Sequence, residues 1–352
     1  MRSSLSSCWP LIGILCLAGS TAEGAPDPAA GCAPSAGLHY ICGPKASEDL
    51  VHIPHSPWLI ASGMNVGEPA HLYLIDTVHK SASIVFPTAA DRPPGARQAG
   101  CSGPPDPARM SLDGLALRAG TRGLHTLYAA NHGDRMAIEF FAIDARGAEP
   151  TLRWSGCAPL PPGTLPNAVT TLPDGGLLVI SFYDPNDAQA WTRMAAGQNT
   201  GRILQWHAAT GFEPVPHSAT SGGNGIETSA DGQWIYASSW SSRQLVILSR
   251  KDGSRRAIAL NFMPDNIHRL ADGSLLVAGQ RTTVAAIRAC TGAQCPQPWV
   301  VARVQPRTGD IQRLVSGAGS AAVNYACGAL AVNGTLYLTV RGDQRLAYKA
   351  LR

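Results

Sequence analysis

The chain has 352 residues, with 28 Lys and Arg against 24 Asp and Glu, a formal net charge of +4 and 45% hydrophobic side chains. The basic residues are scattered along it, which argues against a nucleic-acid partner. Beyond the first 22 residues no apolar run approaches the roughly 18 residues that a membrane-spanning helix needs, so no transmembrane segment is expected.

Met1 to Ala22 carries Arg2, an apolar run from Leu11 to Ala18 and the small residues Ser20-Thr21-Ala22, the layout of a cleaved export signal. Cleavage is expected after Ala22, with Ala25 as the other candidate, and no Cys follows a small-residue lipobox. A periplasmic or extracellular protein is therefore expected. Cys8 and Cys16 would leave with the signal, and Cys32, Cys42, Cys101, Cys157, Cys290, Cys295 and Cys327 remain. An odd number in an oxidising compartment implies up to three bridges and one free thiol. Cys290 and Cys295, framing the short loop CTGAQC, are the first pair expected; the absence of CxxC and HxxxH spacing argues against zinc. Residues 23–44, rich in Pro, Ala and Gly between 25 and 35, read as a lead-in to a single domain over 45–352.

The domain reads as six repeats. The first starts at 45, with Glu48 at the mouth of a hairpin that continues through VHIPHSPWLIASG and ends in AHLYLIDT. A Pro/Gly-rich connection over 87–108 leads to the second, 110–144, with Asp113 at its mouth and a second strand, LHTLYAANH, that delivers His132 to its end. In the third, PNAVTTLPDGGLLVIS places Asn167 seven residues before Asp174; in the fourth, SGGNGIETSADGQWIYASS places Asn224 seven before Asp231. The 182–202 stretch between them is long for a hairpin loop, which marks functional or disordered segments. The fifth, PDNIHRLADGSLLVAG, has Asn266 six residues before Asp272, and the sixth, ACGALAVNGTLYLTV, turns at Asn333-Gly334. Asp-Gly and Asn-Gly between alternating segments predict two-residue type I′ hairpins. Six units of roughly 45 to 55 residues with almost no helical periodicity predict an all-β, six-bladed β-propeller with four-stranded blades.

Radial packing would turn the mouth residues Glu48, Asp113, Asn167, Asn224 and the pair Asp265-Asn266 towards one channel, the sixth repeat offering only Ala326 or Cys327. Convergent carboxylate and carboxamide oxygens suit calcium, which takes six to eight oxygen ligands. Any one of these side chains alone is an ordinary turn or cap residue; their repetition at one phase singles out the set. Asp174, Asp231 and Asp272 are assigned to the turns themselves, and Glu227 and His268 to blade packing or surface.

The motifs SEDL at 47–50, NH at 131–132, LPN at 165–167, NGI with the following DG at 224–232, and DNI at 265–267 resemble the serum paraoxonase/arylesterase family and, more distantly, the gluconolactonase-type calcium propellers. The resemblance implies a six-bladed propeller with a catalytic calcium held by Glu48, Asn167, Asn224, Asp265 and Asn266, hydrolysing lactones and aryl esters. The family's histidine dyad keeps one member as His132, while the other falls on Asp113. Its second, structural ion would use Asp49, a backbone carbonyl near Leu115 and an acid where this chain has Ala168, so one ion is expected rather than two. Its bridge between N- and C-terminal cysteines has no partner in AYKALR, and the 182–202 stretch does not follow the family.

The expected activity is attack of water on a lactone or ester carbonyl polarised by calcium, with Asp113 or His132 as general base. GxSxG, the signature of a serine nucleophile, is absent. Phosphotriester hydrolysis on the same metal is the alternative within the enzyme class, and a non-catalytic calcium-binding propeller is the alternative outside it.

Overall fold

The computed structural model describes residues 32–88, 101–290, 295–341 and 344–351. The expected export signal and most of the 87–108 connection lie outside these residues. The first strand, β1 (His39–Lys45), begins inside the stretch read as a lead-in, and it belongs to the last blade. Blade one is β2 (Ser47–His52), β3 (Trp58–Gly63), β4 (Leu72–Asp76) and β5 (Ser81–Phe86); blade two is β6 (Leu112–Arg118), β7 (Leu124–Asn131), β8 (Ala137–Asp144) and β9 (Thr151–Pro159). Blade three is β10 (Pro166–Thr171), β11 (Leu177–Ser181), β12 (Ile203–His207) and β13 (Gly211–Pro214). Blade four is β14 (Gly223–Thr228), β15 (Trp234–Ser239), β16 (Gln244–Ser249) and β17 (Arg255–Ala259). Blade five is β18 (Met263–Arg269), β19 (Leu275–Gln280), β20 (Trp299–Val304) and β21 (Ile311–Gly317). Blade six is β22 (Ala326–Val332), β23 (Thr335–Val340) and β24 (Gln344–Ala350), completed on its outer edge by β1. The protein is a six-bladed propeller of four-stranded antiparallel blades.

The apolar runs explain the stacking. A strand buried on both faces reads as a continuous hydrophobic run, with alternate side chains serving opposite faces. In β11, Leu177 and Val179 pack against blade two while Leu178 and Ile180 pack against blade four. In β19, Leu275 and Val277 join blade four, and Leu276 and Ala278 join blade six. Each of these side chains is no more than 1% exposed, so each Leu, Val and Ile among them contributes about 1.5–3 kcal/mol of burial. The core is thus a ring of inter-blade layers around the axis.

Hairpin chemistry differs from expectation in one respect. Asn333 and Gly334 both have positive φ, 49° and 73°, as a type I′ turn requires. At Asp174, Asp231 and Asp272 the loops are longer, because Leu172 pairs with Gly176, Ser229 with Trp234 and Leu270 with Ser274. There only the glycine is left-handed, and each Asp side chain accepts from a backbone N–H two residues on, at 2.9–3.1 Å. The turn role assigned to these aspartates holds.

Two short helices interrupt the pattern on one side of the channel: α1 (Ala190–Ala195) inside the long 182–202 stretch, and α2 (Val284–Arg288) between β19 and β20. Disulfides join Cys32 to Cys42, Cys101 to Cys157 and Cys290 to Cys295, while Cys327 is free and buried. Cys290–Cys295 is the pair expected first. Among the described residues no helix is long and apolar enough to cross a membrane, and three disulfides fit an exported protein.

Candidate metal centre and pocket

Every innermost strand carries a register break at the same place. The breaks fall between Ser47 and Leu50, Leu112 and Leu115, Pro166 and Ala168, Gly223 and Ile226, Pro264 and Ile267, and Ala326 and Ala329. A β-bulge leaves a residue unpaired and re-aims its side chain. The first bulged residues are Glu48, Asp113, Asn167, Asn224, Asp265 and Cys327, and all six line one cavity of about 220 Å³. The residue just past the register pair on each second strand forms the wall above this floor: Met64, His132, Phe182, Trp240, Gln280 and Arg341. Two side chains per blade, repeated six times, form the frame of the pocket, and Leu165, Tyr183, Trp191, Ile287 and Tyr325 complete its lining.

The structure brings together Glu48, Asp113, Asn167, Asn224 and Asp265 as the sequence predicts. Asp265, not Asn266, is the equivalent of Asn167 and Asn224, and it lies seven residues before its turn aspartate. Asn266 lines a second cavity on the opposite side and reaches the floor through Nδ2, which donates to Glu48 Oε2 at 2.8 Å. Cys327, rather than Ala326, occupies the sixth floor position, and its Sγ lies within 4.8 Å of carboxylate oxygens of Glu48 and Asp265.

Hydrogen bonding on the floor is incomplete in an informative way. Asn167 Nδ2 donates to Asp113 Oδ2 at 3.2 Å, and Asp265 Oδ2 accepts from Gln280 Nε2 at 2.6 Å. The other oxygens, Asn167 Oδ1 and Asp265 Oδ1, are buried without a partner, and so is Asn224 Oδ1. Leaving such a group unpaired costs about 1–3 kcal/mol, more for a charged one. Three orphaned oxygens facing one space, with Glu48 beside them, form a donor set that fits a hard cation. Burial pushes the Glu48 carboxyl well above its usual range, with Asp113, Asp265 and Asp49 adding to the effect. Burial likewise pushes Asp265 up to about 7, against the lowering effect of Gln280. A divalent cation is the charge that would offset both.

The supporting contacts were not legible in the motifs. Trp240 Nε1 donates to Gln280 Oε1 at 2.9 Å, which fixes the amide so that its Nε2 holds Asp265 Oδ2. Hydroxyls on second strands tie down the bulge carbonyls of the next blade: Ser62 to Asp113, Ser238 to Asp265 and Thr339 to Glu48, at 2.6–2.7 Å. Their only signal is a buried Ser or Thr near a strand end.

His132 Nε2 lies 2.9 Å from Asp113 Oδ1. Burial lowers the affinity of His132 for a proton, but the Asp113 charge and hydrogen bond outweigh it, leaving the imidazole raised above its usual value. With Nε2–H given to the carboxylate, Nδ1 is the nitrogen left to take a proton.

Where loss of the second ion is expected, Asp49 Oδ2 accepts the backbone N–H of Leu115 at 2.8 Å and Asp49 Oδ1 meets His268 Nε2 at 2.7 Å, while Ala168 has no side-chain oxygen. His268, assigned from sequence to packing or surface, is instead an ion-pair partner for Asp49, held above its usual value by that carboxylate although burial opposes it.

No family model and no curated protein matches the sequence. Among solved structures, the fold is similar to a gluconolactonase from Xanthomonas campestris, at TM-score 0.57 and 15% identity over 90% of this chain and 89% of that one. It is also similar to a luciferin-regenerating enzyme, at TM-score 0.55 and 12% identity over 88% and 93%. A third likeness is to regucalcin, a calcium-binding protein of Agrobacterium tumefaciens, at TM-score 0.52 and 13% identity over 88% and 91%. At such identities the likeness establishes the propeller fold, and the chemistry has to be argued from the pocket.

Proposed function

We propose that the protein is a calcium-dependent hydrolase of lactones or aryl carboxylic esters, with Glu48, Asn167, Asn224 and Asp265 as cation ligands. Three buried, unpartnered oxygens converging with Glu48 on one cavity carry this reading. Asn266 joins the set if its amide turns over to present Oδ1. Calcium bound there would act as a Lewis acid, polarising a substrate carbonyl and stabilising negative charge as it develops.

The rest of the work belongs to the chain. His132 Nδ1 would take the proton of an attacking water, and Asp113, held at its other carboxylate oxygen by Asn167, orients the ring and stabilises the imidazolium. His132 is the better base of the two candidates, because its ordinary pKa lies near neutrality and the carboxylate strengthens it. Phe182 and Trp240, at the same wall level as His132 in blades three and four, would restrict water beside it.

The test is initial-rate hydrolysis of aliphatic lactones and aryl acetates by the purified chain, before and after chelation. Turnover that vanishes with chelator and returns with calcium but not magnesium is expected. Tight calcium binding without turnover on any member would refute the hydrolase reading and favour a binding propeller.

A further inference from the structure

The pocket has two unlike walls. On one side Phe182, Tyr183, Trp191 and Trp240 form a continuous aromatic surface, with neighbouring ring centroids 5.5–6.4 Å apart. Buried Met194, Met263 and Val284 support it from beneath. Most of this surface is built by two insertions, the 182–202 stretch with α1 and the α2 segment closed by Cys290–Cys295, and α2 adds Ile287 to the lining. Trp240 has spent its one polar atom on Gln280, so it offers a substrate only its ring.

The other side carries Arg341, which stands at the wall position of blade six that His132 takes in blade two. Its Nη1 donates to Tyr325 Oη at 2.6 Å, and its guanidinium lies 5.9 Å from the Tyr325 ring centroid. Among the described residues it forms no ion pair. The remaining charges lining the cavity are Glu48, Asp113, His132 and Asp265. Asp113 is hydrogen-bonded to His132 and Glu48 with Asp265 would balance a divalent cation, so no carboxylate touches the guanidinium, which Asp113 and Asp265 attract only through space. A half-buried, planar, permanently charged donor set with no carboxylate in contact is suited to a carboxylate from outside.

Resting on the hydrolase reading, we infer that the substrate is an amphipathic carboxylate. An aryl or bulky alkyl body lies against the aromatic wall, an anionic group is held by Arg341, and the lactone or ester carbonyl sits over the floor between them. Neutral polyhydroxylated lactones match neither wall.

Binding tests this without turnover. Calorimetric titrations of the calcium-loaded protein would compare hydrocinnamate with the neutral hydrocinnamyl alcohol and with propionate, which lacks the ring. Hydrocinnamate is expected to bind about 10-fold more tightly than either, as one charge-assisted contact and one ring contact each allow. Arg341→Gln should abolish the preference for acid over alcohol while leaving alcohol binding in place, and Arg341→Lys should keep part of it. Trp191→Ala should weaken acid and alcohol alike. Equal affinity for acid and alcohol in the unmodified protein would overturn the inference. So would an acid preference that survives Arg341→Gln, since the carboxylate would then be bound by the cation. Because no bond is cleaved in these titrations, failure to hydrolyse lactones would leave their outcome readable and would count against the hydrolase reading alone.

Discussion

Asp265→Asn removes the charge whose burial the channel resists most legibly. In the metal-free protein burial holds the Asp265 carboxyl at about 7, against 3.8 for an ordinary aspartate. Below pH 3.8 the group is protonated in folded and unfolded chains alike and contributes nothing. As pH rises from there to about 7 the unfolded chain has given up the proton and the folded one still holds it, so stability falls by about 1.4 kcal/mol per pH unit. Above pH 7 the accumulated loss is roughly 4 kcal/mol. For a domain of this size, with an entropy of unfolding of about 0.6 kcal/mol/K, that corresponds to roughly 7 °C. Melting curves in chelator should therefore coincide for the two proteins near pH 4 and separate progressively, the Asn variant melting about 7 °C higher at pH 8. Calcium should reverse the order, raising the melting temperature of the unmodified protein and leaving the variant nearly unmoved. Parallel pH profiles in chelator, or equal stabilisation of both proteins by calcium, would refute the assignment of Asp265 as a buried, cation-balanced ligand.

Other substitutions separate the cation from the chemistry. His132→Ala should lower turnover by about 10²–10⁴-fold while the calcium-induced melting shift persists; loss of both together would place His132 among the ligands. Because Asp113 raises His132, the neutral base is regained only above the ordinary value of 6.5, and the rising limb of the pH–rate profile should lie there. Asp113→Asn should move that limb down, and an unmoved limb would assign it to another group. Gln280→Leu releases Asp265 Oδ2 without touching the cavity oxygens, and should weaken calcium binding by about 10–100-fold in direct titration; unchanged affinity would show that the amide merely packs.

Half of the pocket floor was legible because in blades three to five the bulge presents a polar side chain seven residues before a turn aspartate, as at Asn167 and Asn224. In blade five the same offset of seven, counted back from Asp272, separates Asp265 from Asn266, whereas in blade six the choice of Cys327 over Ala326 needed the position of the bulge. The wall was less legible. Met64, Phe182, Trp240, Gln280 and Arg341 share a structural position but no chemistry, so no repeated letter betrays them. Only His132, which shares that position, stood out, through the Asn-His motif. The outer strand of blade six escaped for a different reason: β1 has no neighbouring hairpin partner, and its hydrogen bonds run to β24 at the far end of the chain. The aspartate turns were read one or two residues too tight because Asp-Gly was taken as the whole loop, whereas the aspartate works as a local acceptor and only the glycine bends the backbone.

The pairing of β1 with β24 also sets an order of events. Tyr40 lies opposite Ala347 and Ile41 opposite Leu346, so the ring is sealed by residues about 306 positions apart in the chain. An emerging polypeptide can form blades one to five from neighbouring hairpins, but its first strand has no berth until the last one arrives. Until then blade six exposes an edge, and the layer between blades six and one, with Ile41 and Leu346 in it, stays open to water. A short deletion at either terminus should therefore act on the whole circle, trapping chains with well-formed blades and no closed channel.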